Sequence, residues 1–211
     1  MKKQDIQMTV DIVVFTVHVH KLRVLLIKRG ISPFKDQYAL PGGFVLSKET
    51  LDAAAFRELR EETGTEDVYL EQLYTFGDPK RDPRGRVVTV AYYALVPAGK
   101  SPLRAGTDAA SAGWFPVAEL PPLAFDHGNI IDYAVTRLRN KLEYSTVGFE
   151  LLPKKFTLTA LQLLHEAILG IALDKRNFRR KILSSGLLAA SKEMEITGRK
   201  PARLYSFRIP R

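Results

Sequence analysis

The chain of 211 residues contains no cysteine. Disulfides and thiolate metal sites are therefore excluded, and a reducing compartment such as the cytoplasm is the simplest home for the protein. The sequence also lacks an apolar run as long as a membrane-spanning helix. Asp11 and His18 interrupt the apolar pattern near its start, so we expect no signal peptide, no membrane anchor and no membrane partner.

Acidic residues are scarce towards the end of the chain. Residues 1–149 hold 19 Lys and Arg against 18 Asp and Glu, whereas residues 150–211 hold 13 against 5, so most of the net charge of +9 lies in the last third. A nearly neutral body with a basic end predicts different partners for the two parts. A solubilising tail is the simpler alternative, but strong apolar periodicity in this region indicates that it folds.

The hydrophobic pattern divides the chain into two predicted domains, residues 1–147 and 148–211. The first has Val- and Ile-rich strands and two helices, which indicates a mixed α and β fold. The second has two short helices separated by a tight turn and then two strands, an order typical of a helix-turn-helix with a β-hairpin. The predicted helices span about residues 49–64, 127–145, 157–170 and 174–187.

Three carboxylates crowd the segment RELREETG, residues 57–64. On a helix, Glu58, Glu61 and Glu62 share one face, where like charges repel by a few tenths of a kcal/mol, roughly, for each pair. A divalent cation removes that repulsion, because Mg²⁺ prefers carboxylate oxygens and takes other ligands from substrate phosphates. The simpler interpretation is a solvated helix face on which Arg57 pairs with Glu61.

The acidic segment ends a longer run, GFVLSKETLDAAAFRELREETGT, that resembles the Nudix box. That motif has Gly, five residues, Glu, seven residues, Arg-Glu, an aliphatic residue, any residue, Glu-Glu, any residue and Gly. Thr65 departs from the pattern, because a bulky aliphatic residue is usual there. The matching positions are Gly43, Glu49, Arg57, Glu58, Leu59, Glu61, Glu62 and Gly64.

The resemblance to a Nudix domain covers about residues 8–145. It implies an α/β (α+β) fold, the Nudix α/β/α sandwich with a mixed sheet. It also implies an enzyme that hydrolyses nucleoside diphosphates linked to another moiety, with Mg²⁺ or Mn²⁺ as cofactor. By the same resemblance, Gly43 offers a backbone carbonyl to the metal, Arg57 orients carboxylates, and Glu49 braces the loop or joins the metal site. The implied metal ligands among the side chains are Glu58, Glu61 and Glu62.

The base that takes a proton from the attacking water stays open among several carboxylates. It must reach that water directly or through one intermediate molecule. Glu61 and Glu62 are candidates from the helix, and Glu119 is a candidate from a later loop.

A second motif, GDPKRDPRGR at residues 77–86, resembles the segment that follows the Nudix box in ADP-ribose pyrophosphatases. Arg81, Arg84 and Arg86 are therefore candidate contacts for phosphates or ribose hydroxyls, because the guanidinium fork matches phosphate oxygens. Arg29 is a weaker candidate of the same kind. The alternative is a proline-rich turn with solvated arginines. The four histidines have no metal-ligand spacing, so we expect surface or structural roles for them.

The second predicted helix of the basic end is a candidate DNA-recognition helix. A short basic helix after a tight turn can enter the major groove, where Arg contacts phosphates and guanine edges and Asn reads adenine. The following loop would act as a basic wing through Arg199 and Lys200. Alternatively, the helix packs on the first domain or is merely exposed. The candidate DNA-binding residues on the helix are Lys175, Arg176, Asn177, Arg179, Arg180 and Lys181.

Taken with the Nudix box, DKRNFRRKI and GRKPARLY resemble the Nudix-related transcriptional regulators of NAD metabolism. That resemblance implies a winged helix-turn-helix, a homodimer, double-stranded operator DNA as a partner, and ADP-ribose or a relative as ligand. Because the carboxylate set is complete, we predict a hydrolase that converts ADP-ribose to AMP and ribose 5-phosphate. The alternative is an ADP-ribose-sensing repressor with little or no hydrolysis. A third interpretation makes the basic end a dimerisation or protein-interaction module.

Overall fold

The computed structural model describes residues 5–64, 68–98, 109–196 and 201–208. Thr65, Arg199 and Lys200, three positions singled out above, lie outside these ranges, and so does the side chain of Glu62. None of the helices in the described part of the chain is long and apolar enough to span a membrane.

The first part of the chain is built on a mixed sheet of seven strands. β1 lies at its centre, parallel to β6 and antiparallel to β2 and β4. The order β3-β2-β1-β6-β5 is extended by β4 against β1 and β7 against β2. The strands are β1 Gln7–His18, β2 Lys21–Arg29, β3 Tyr38–Ala39, β4 Gly42–Phe44, β5 Tyr69–Phe76, β6 Val87–Leu95 and β7 Ala109–Pro116.

One helix covers each face of this sheet. α1, Leu51–Thr63, begins where the Thr50 hydroxyl accepts a hydrogen bond from the Ala53 N–H and ends at Gly64 in the left-handed conformation. α2, His127–Tyr144, buries Ile130, Ala134 and Leu138 against the opposite face. The result is the three-layer α/β/α arrangement that the sequence predicted, with the α1 stop at the expected glycine.

The basic end of the chain forms a helix-turn-helix and a hairpin. The two strands of the hairpin and β8 make a separate sheet in the order β8-β10-β9. This is the expected winged arrangement, preceded by a 3-10 helix, Val147–Leu151. Its elements are β8 Phe156–Thr157, α3 Leu158–Leu169, α4 Lys175–Ser184, β9 Leu188–Ile196 and β10 Pro201–Phe207.

The two parts share one hydrophobic core. Leu161, Leu164 and Ile168 of α3 are buried in the same cluster as strand residues such as Phe15 and Leu26. A hydrogen bond from a side chain to the backbone reinforces this packing, because Arg139 Nε on α2 donates to the Ile168 carbonyl of α3 at 2.9 Å. The winged part is thus packed directly on the sheet rather than tethered by a linker. The boundary at residue 147 remains a prediction.

Candidate functional site

The acidic helix meets the backbone of β4 at Gly43. A Cβ atom at this position would overlap the Glu58 carboxylate, so only glycine permits the approach. β4 is fixed there by its antiparallel pairing with β1, where Gly43 lies opposite Val10. The sheet and α1 therefore bring one carboxylate against the backbone that the Nudix box assigns to metal binding.

Arg57 holds the carboxylates around it in place. Its Nη2 donates to Glu49 at 2.8 Å and its Nη1 donates to Glu58 at 2.6 Å, while the Glu61 carboxylate lies 3.8 Å away. Glu49 in turn accepts the Leu46 N–H at 2.7 Å, which closes the loop before α1. This matches the orienting and bracing geometry expected of Arg57 and Glu49, whose functional roles remain predictions.

The two described carboxylates of the helix face differ in exposure. The Glu58 side chain is 12% exposed and that of Glu61 is 46% exposed. Burial raises the pKa of Glu58 and outweighs the opposing hydrogen bond from Arg57. A nearby cation would reverse this effect by favouring the charged carboxylate.

A cleft of about 130 Å³ opens beside Gly43. Arg29, Arg81 and Arg84 all line it, so the structure brings three of the four candidate substrate residues together. Arg86 does not line the cleft, and its Nη1 donates to the Gly77 carbonyl at 2.7 Å. The position of Arg86 therefore lends no support to a substrate contact.

Two of these arginines stack on aromatic rings at the cleft. The Arg84 guanidinium lies 5.1 Å from the ring centre of Phe44 and 5.5 Å from that of Phe125. The Arg29 guanidinium lies 4.9 Å from the centre of the Phe125 ring. Arg84 is also held by Asp82, with Nη2 donating at 2.7 Å. Arg29 is held as well, since its Nε donates to the Pro33 carbonyl at 2.8 Å. Both guanidinium groups are thus fixed at the wall of the cleft.

The third arginine is enclosed by acidic groups. The Arg81 side chain is only 3% exposed, and its Nη2 donates to Asp126 at 2.7 Å and to Asp11 at 3.2 Å. Its guanidinium is thus neutralised by protein carboxylates, and its contacts favour a structural role over the predicted phosphate contact.

His127 completes this buried cluster as a neutral ring. Its Nδ1 accepts the Leu40 N–H at 2.8 Å, so the proton resides on Nε2, which lies 3.6 Å from Asp11. Complete burial lowers the pKa of His127. This is the structural role that the sequence led us to expect for the histidines.

Glu119 lies far from this site. It pairs with Lys21 at 2.9 Å, beside the turn between β1 and β2, whereas Gly43 pairs with the first half of β1. Val10, opposite Gly43, and His18, opposite Lys21, are separated along β1 by roughly 25 Å at 3.3 Å per residue. The hypothesis that Glu119 is the general base is therefore wrong.

The basic face of α4 is largely open to solvent. Asp174 caps the helix by accepting the Asn177 N–H at 2.8 Å, and α4 has no fully buried residue. Arg179 is half-buried and donates to Thr159 on α3 at 3.2 Å. The exposed candidates for DNA contact are Lys175, Arg176, Asn177, Arg180 and Lys181.

Comparison with known proteins identifies both parts of this architecture. The model of the NUDIX domain matches residues 6–134, and that of the NrtR DNA-binding winged helix domain matches residues 148–207. The chain belongs to the Nudix family, in its winged-helix NrtR branch. This assignment confirms the predicted family, the mixed α/β Nudix fold and the fusion to a DNA-binding domain.

Individual relatives agree with the family. The ADPR responsive transcriptional repressor NtrR of Acinetobacter baylyi is 41% identical over 206 residues, which cover 96% of this chain and 82% of the relative. The ADP-ribose pyrophosphatase of Methanocaldococcus jannaschii is 46% identical over 112 residues, 53% of this chain and 65% of that protein. The crystal structure of Shewanella oneidensis NrtR complexed with a 27mer DNA has a TM-score of 0.85 and 38% identity, covering 95% of this chain and 93% of that one.

Nudix hydrolases use a divalent metal, and the chemistry of this site fits one. Glu58 and Glu61 offer hard carboxylate oxygens beside Gly43. Within the described ranges, no three His, Cys, Asp or Glu side chains converge as a complete metal site. The remaining carboxylate of the Nudix box, on Glu62, belongs to a side chain outside those ranges.

The sequence did not reveal the buried Asp11–Arg81–Asp126 cluster. Its members are separated by 70 and 45 positions along the chain. One signal was present, because Asp11 interrupts an otherwise apolar strand and a buried acid needs a partner. The identity of that partner depended on the fold.

Proposed function

We propose that this Nudix protein binds ADP-ribose in the cleft beside Gly43, hydrolyses it to AMP and ribose 5-phosphate with Mg²⁺ or Mn²⁺, and represses genes of NAD metabolism through its winged helix. The observation that carries the catalytic proposal is the approach of the Glu58 carboxylate to the Gly43 backbone at the end of the arginine-lined cleft. The names of the Acinetobacter and Methanocaldococcus relatives support ADP-ribose as the ligand.

The cleft offers cationic groups to a pyrophosphate. Arg29 and Arg84 are stacked on Phe125 and Phe44, which restricts their motion before the ligand arrives. A diphosphate would add negative charge where Arg84 has only Asp82 as its carboxylate partner among the described contacts. We therefore assign phosphate binding to Arg29 and Arg84, and orientation of the cleft wall to Arg81.

The chain's own residues prepare the hydrolytic step. Glu58 and Glu61, held by Arg57, would hold the ion with Glu62 and the Gly43 carbonyl. A bound divalent cation would neutralise the pyrophosphate and acidify a water molecule. The water oxygen forms the new bond to phosphorus, the bridging oxygen leaves with the other phosphate, and Glu61 or Glu62 accepts the proton.

A substrate panel tests this activity. The full chain with Mg²⁺ should convert ADP-ribose to AMP and ribose 5-phosphate, measured by chromatography, in preference to nucleoside triphosphates. Glu58→Gln keeps the shape of the side chain. It should abolish turnover and leave the melting temperature unchanged. Turnover by Glu58→Gln at the wild-type rate would refute the assignment.

A sensor without hydrolysis is the second candidate. It is favoured by the ADPR responsive transcriptional repressor of Acinetobacter baylyi, whose 41% identity extends over 96% of this chain and so includes both parts of the molecule. In that case calorimetry would detect binding of ADP-ribose with or without Mg²⁺, and no AMP would form.

Control of repression by ADP-ribose requires that this ligand bind the DNA-competent and DNA-incompetent states unequally. Contacts run from the cleft through Arg81 and Asp126 to α2, and from Arg139 on α2 to α3, so the ligand site and the DNA-binding helices are mechanically connected. Fluorescence anisotropy with promoter DNA of NAD-synthesis genes should show an affinity that changes when ADP-ribose is added. An unchanged affinity would contradict the coupling.

We further propose that α4 contacts operator DNA and that the protein acts as a cytoplasmic homodimer, because two-fold symmetric operators are read by paired recognition helices. Replacing Arg179 and Arg180 by Ala should weaken operator binding and leave hydrolysis intact. Light scattering should give twice the chain mass of 23.7 kDa. A complex of operator DNA with a single protein chain would contradict the proposed dimer.

A further inference from the structure

A second cavity, of about 560 Å³, lies where the winged-helix part meets the end of α2. It is partly open to solvent and is bounded by the end of α2, by α3 and by the inner face of α4. It shares no lining residue with the cleft beside Gly43. Its size falls in the range of small-molecule sites. Most of its wall is apolar, formed by Leu142, Phe149, Leu169, Phe178, Ile182 and Leu187.

His165 gives this apolar cavity a hydrogen-bond acceptor. Its Nδ1 lies 2.9 Å from the Leu161 carbonyl, which can only accept, so Nδ1 carries the hydrogen. Burial lowers the pKa of His165, which favours the neutral ring. Nε2 is then an acceptor, since a neutral imidazole carries one hydrogen.

An aromatic ring stands next to this acceptor. Phe178, on the inner face of α4, meets the His165 ring edge-on with 5.2 Å between ring centres. Aromatic pairs favour such offset or edge-on geometries, and a flat ligand can extend the arrangement. The cavity therefore combines one acceptor with flat apolar contact surface.

The charges at the edge of the cavity argue against an anionic ligand. Glu143 and Asp174 contribute two carboxylates, against one ammonium group from Lys181. An anion such as ADP-ribose would meet more like charge than opposite charge there. A neutral molecule avoids the cost of transferring a charge to an apolar wall.

We propose that this cavity binds a small neutral aromatic molecule carrying one N–H or O–H group, which donates to His165 Nε2 while the ring packs on Phe178. Such a ligand touches α4 beside Asn177 and Lys181, two of the candidate DNA contacts that also line the cavity. The site is independent of the proposed ADP-ribose site and does not rest on it.

Indole and 1-methylindole test the proposal as matched probes. They have nearly the same shape, but 1-methylindole lacks the N–H donor. Titration of the full chain, followed by NMR of ¹⁵N-labelled histidine, should shift the His165 Nε2 resonance with indole. 1-Methylindole should bind about tenfold more weakly, the effect of one hydrogen bond.

Two substitutions separate the cavity from the acceptor. Leu169→Trp fills the cavity and should abolish indole binding, whereas Leu163→Trp, on the same helix but lining a different cavity, should leave it unchanged. His165→Phe keeps an aromatic ring against Phe178 and should remove the preference for indole over 1-methylindole. It remains decisive if Leu169→Trp does not fold.

Three results would overturn the proposal: no indole binding to the full chain, equal binding of the two probes to the wild type, or competition between indole and ADP-ribose for the cleft beside Gly43. If Leu169→Trp binds indole as tightly as the wild type and has the same melting temperature, indole binding is an adventitious hydrophobic association and the proposal fails.

Discussion

Arg81 and Asp126 join the loop after β5 to the residue that precedes α2, with Nη2 donating at 2.7 Å and Nε donating at 3.0 Å. Arg81 lines the cleft beside Gly43, and the pair holds it against the residue that precedes α2. Because Asp11 also accepts from Arg81, three distant segments of the chain meet at one guanidinium group.

Removing that guanidinium should cost more stability than removing the half-buried one of Arg86. Arg81→Ala leaves the buried Asp11 and the half-buried Asp126 without their cation, so we expect the free energy of unfolding to fall by about 3 kcal/mol. Arg86→Ala, which loses one hydrogen bond to the Gly77 carbonyl, should cost about 1 kcal/mol. Urea unfolding measures both, and equal losses would contradict the structural role of Arg81.

Gly43→Ala should impair hydrolysis through the position of Glu58. The new methyl group overlaps the Glu58 carboxylate, which must move, and displacement of an active-site group by about 1 Å can cost roughly a hundredfold in rate. Gly128→Ala is the control, because its methyl group would meet Leu123 at an ordinary distance of 3.9 Å. ADP-ribose turnover by Gly43→Ala at the rate of that control would show that the close approach has no catalytic importance.

Glu71 should make stability depend on pH. The Lys141 ammonium and the Tyr69 and Tyr93 hydroxyls donate to its carboxylate, tying α2 to the sheet. Burial raises the pKa of Glu71, but these hydrogen bonds outweigh it and bring the pKa below 4.5. The stabilisation is therefore complete above about pH 4.5 and is lost as the pH falls through the lowered value.

Comparison of Glu71→Gln with the wild type measures this dependence. The difference in unfolding free energy should be larger at pH 7 than at pH 3. Glu143→Gln, at an exposed position of α2, serves as the control. It should change the unfolding free energy only slightly at both pH values. A Glu71→Gln difference that stays constant with pH would rule out a contribution from the charged carboxylate.

The salt dependence of DNA binding should identify phosphate contacts on α4. If Lys175 neutralises one phosphate, Lys175→Ala should reduce the slope of log affinity against log salt by about 0.9. Lys35→Ala removes an exposed lysine from the Nudix domain and should leave the slope unchanged. Equal slopes for wild type and Lys175→Ala, measured by anisotropy, would exclude that contact.

Local features of the fold were predictable from the sequence, because they depend on neighbouring residues. Thr50 and Gly64 define α1 through hydrogen bonds three and four positions away, and Ile130, Ala134 and Leu138 repeat at the helical period on α2. The short strands β3 and β4 were not predicted. With two or three residues each, they have no period to detect and exist through pairing with β2 and β1.

The site was predictable in its acidic part and less so in its cleft. Glu58, Glu61 and Arg57 lie within five positions, so helix geometry alone places them together. For the arginines, sequence could not distinguish a side chain enclosed by carboxylates, as at Arg81, from one stacked on a ring, as at Arg84. That difference arises from β1 and α2, which are far away along the chain.

The leucines of α3 have a further consequence for how such proteins can be rearranged. Leu161 and Leu164 fill space that a stand-alone Nudix enzyme must cover with other side chains. Cutting the chain after α2 would expose the apolar surface that these leucines cover. The DNA-reading module is therefore not freely portable, and grafting it onto another hydrolase would require redesign of both surfaces at the seam.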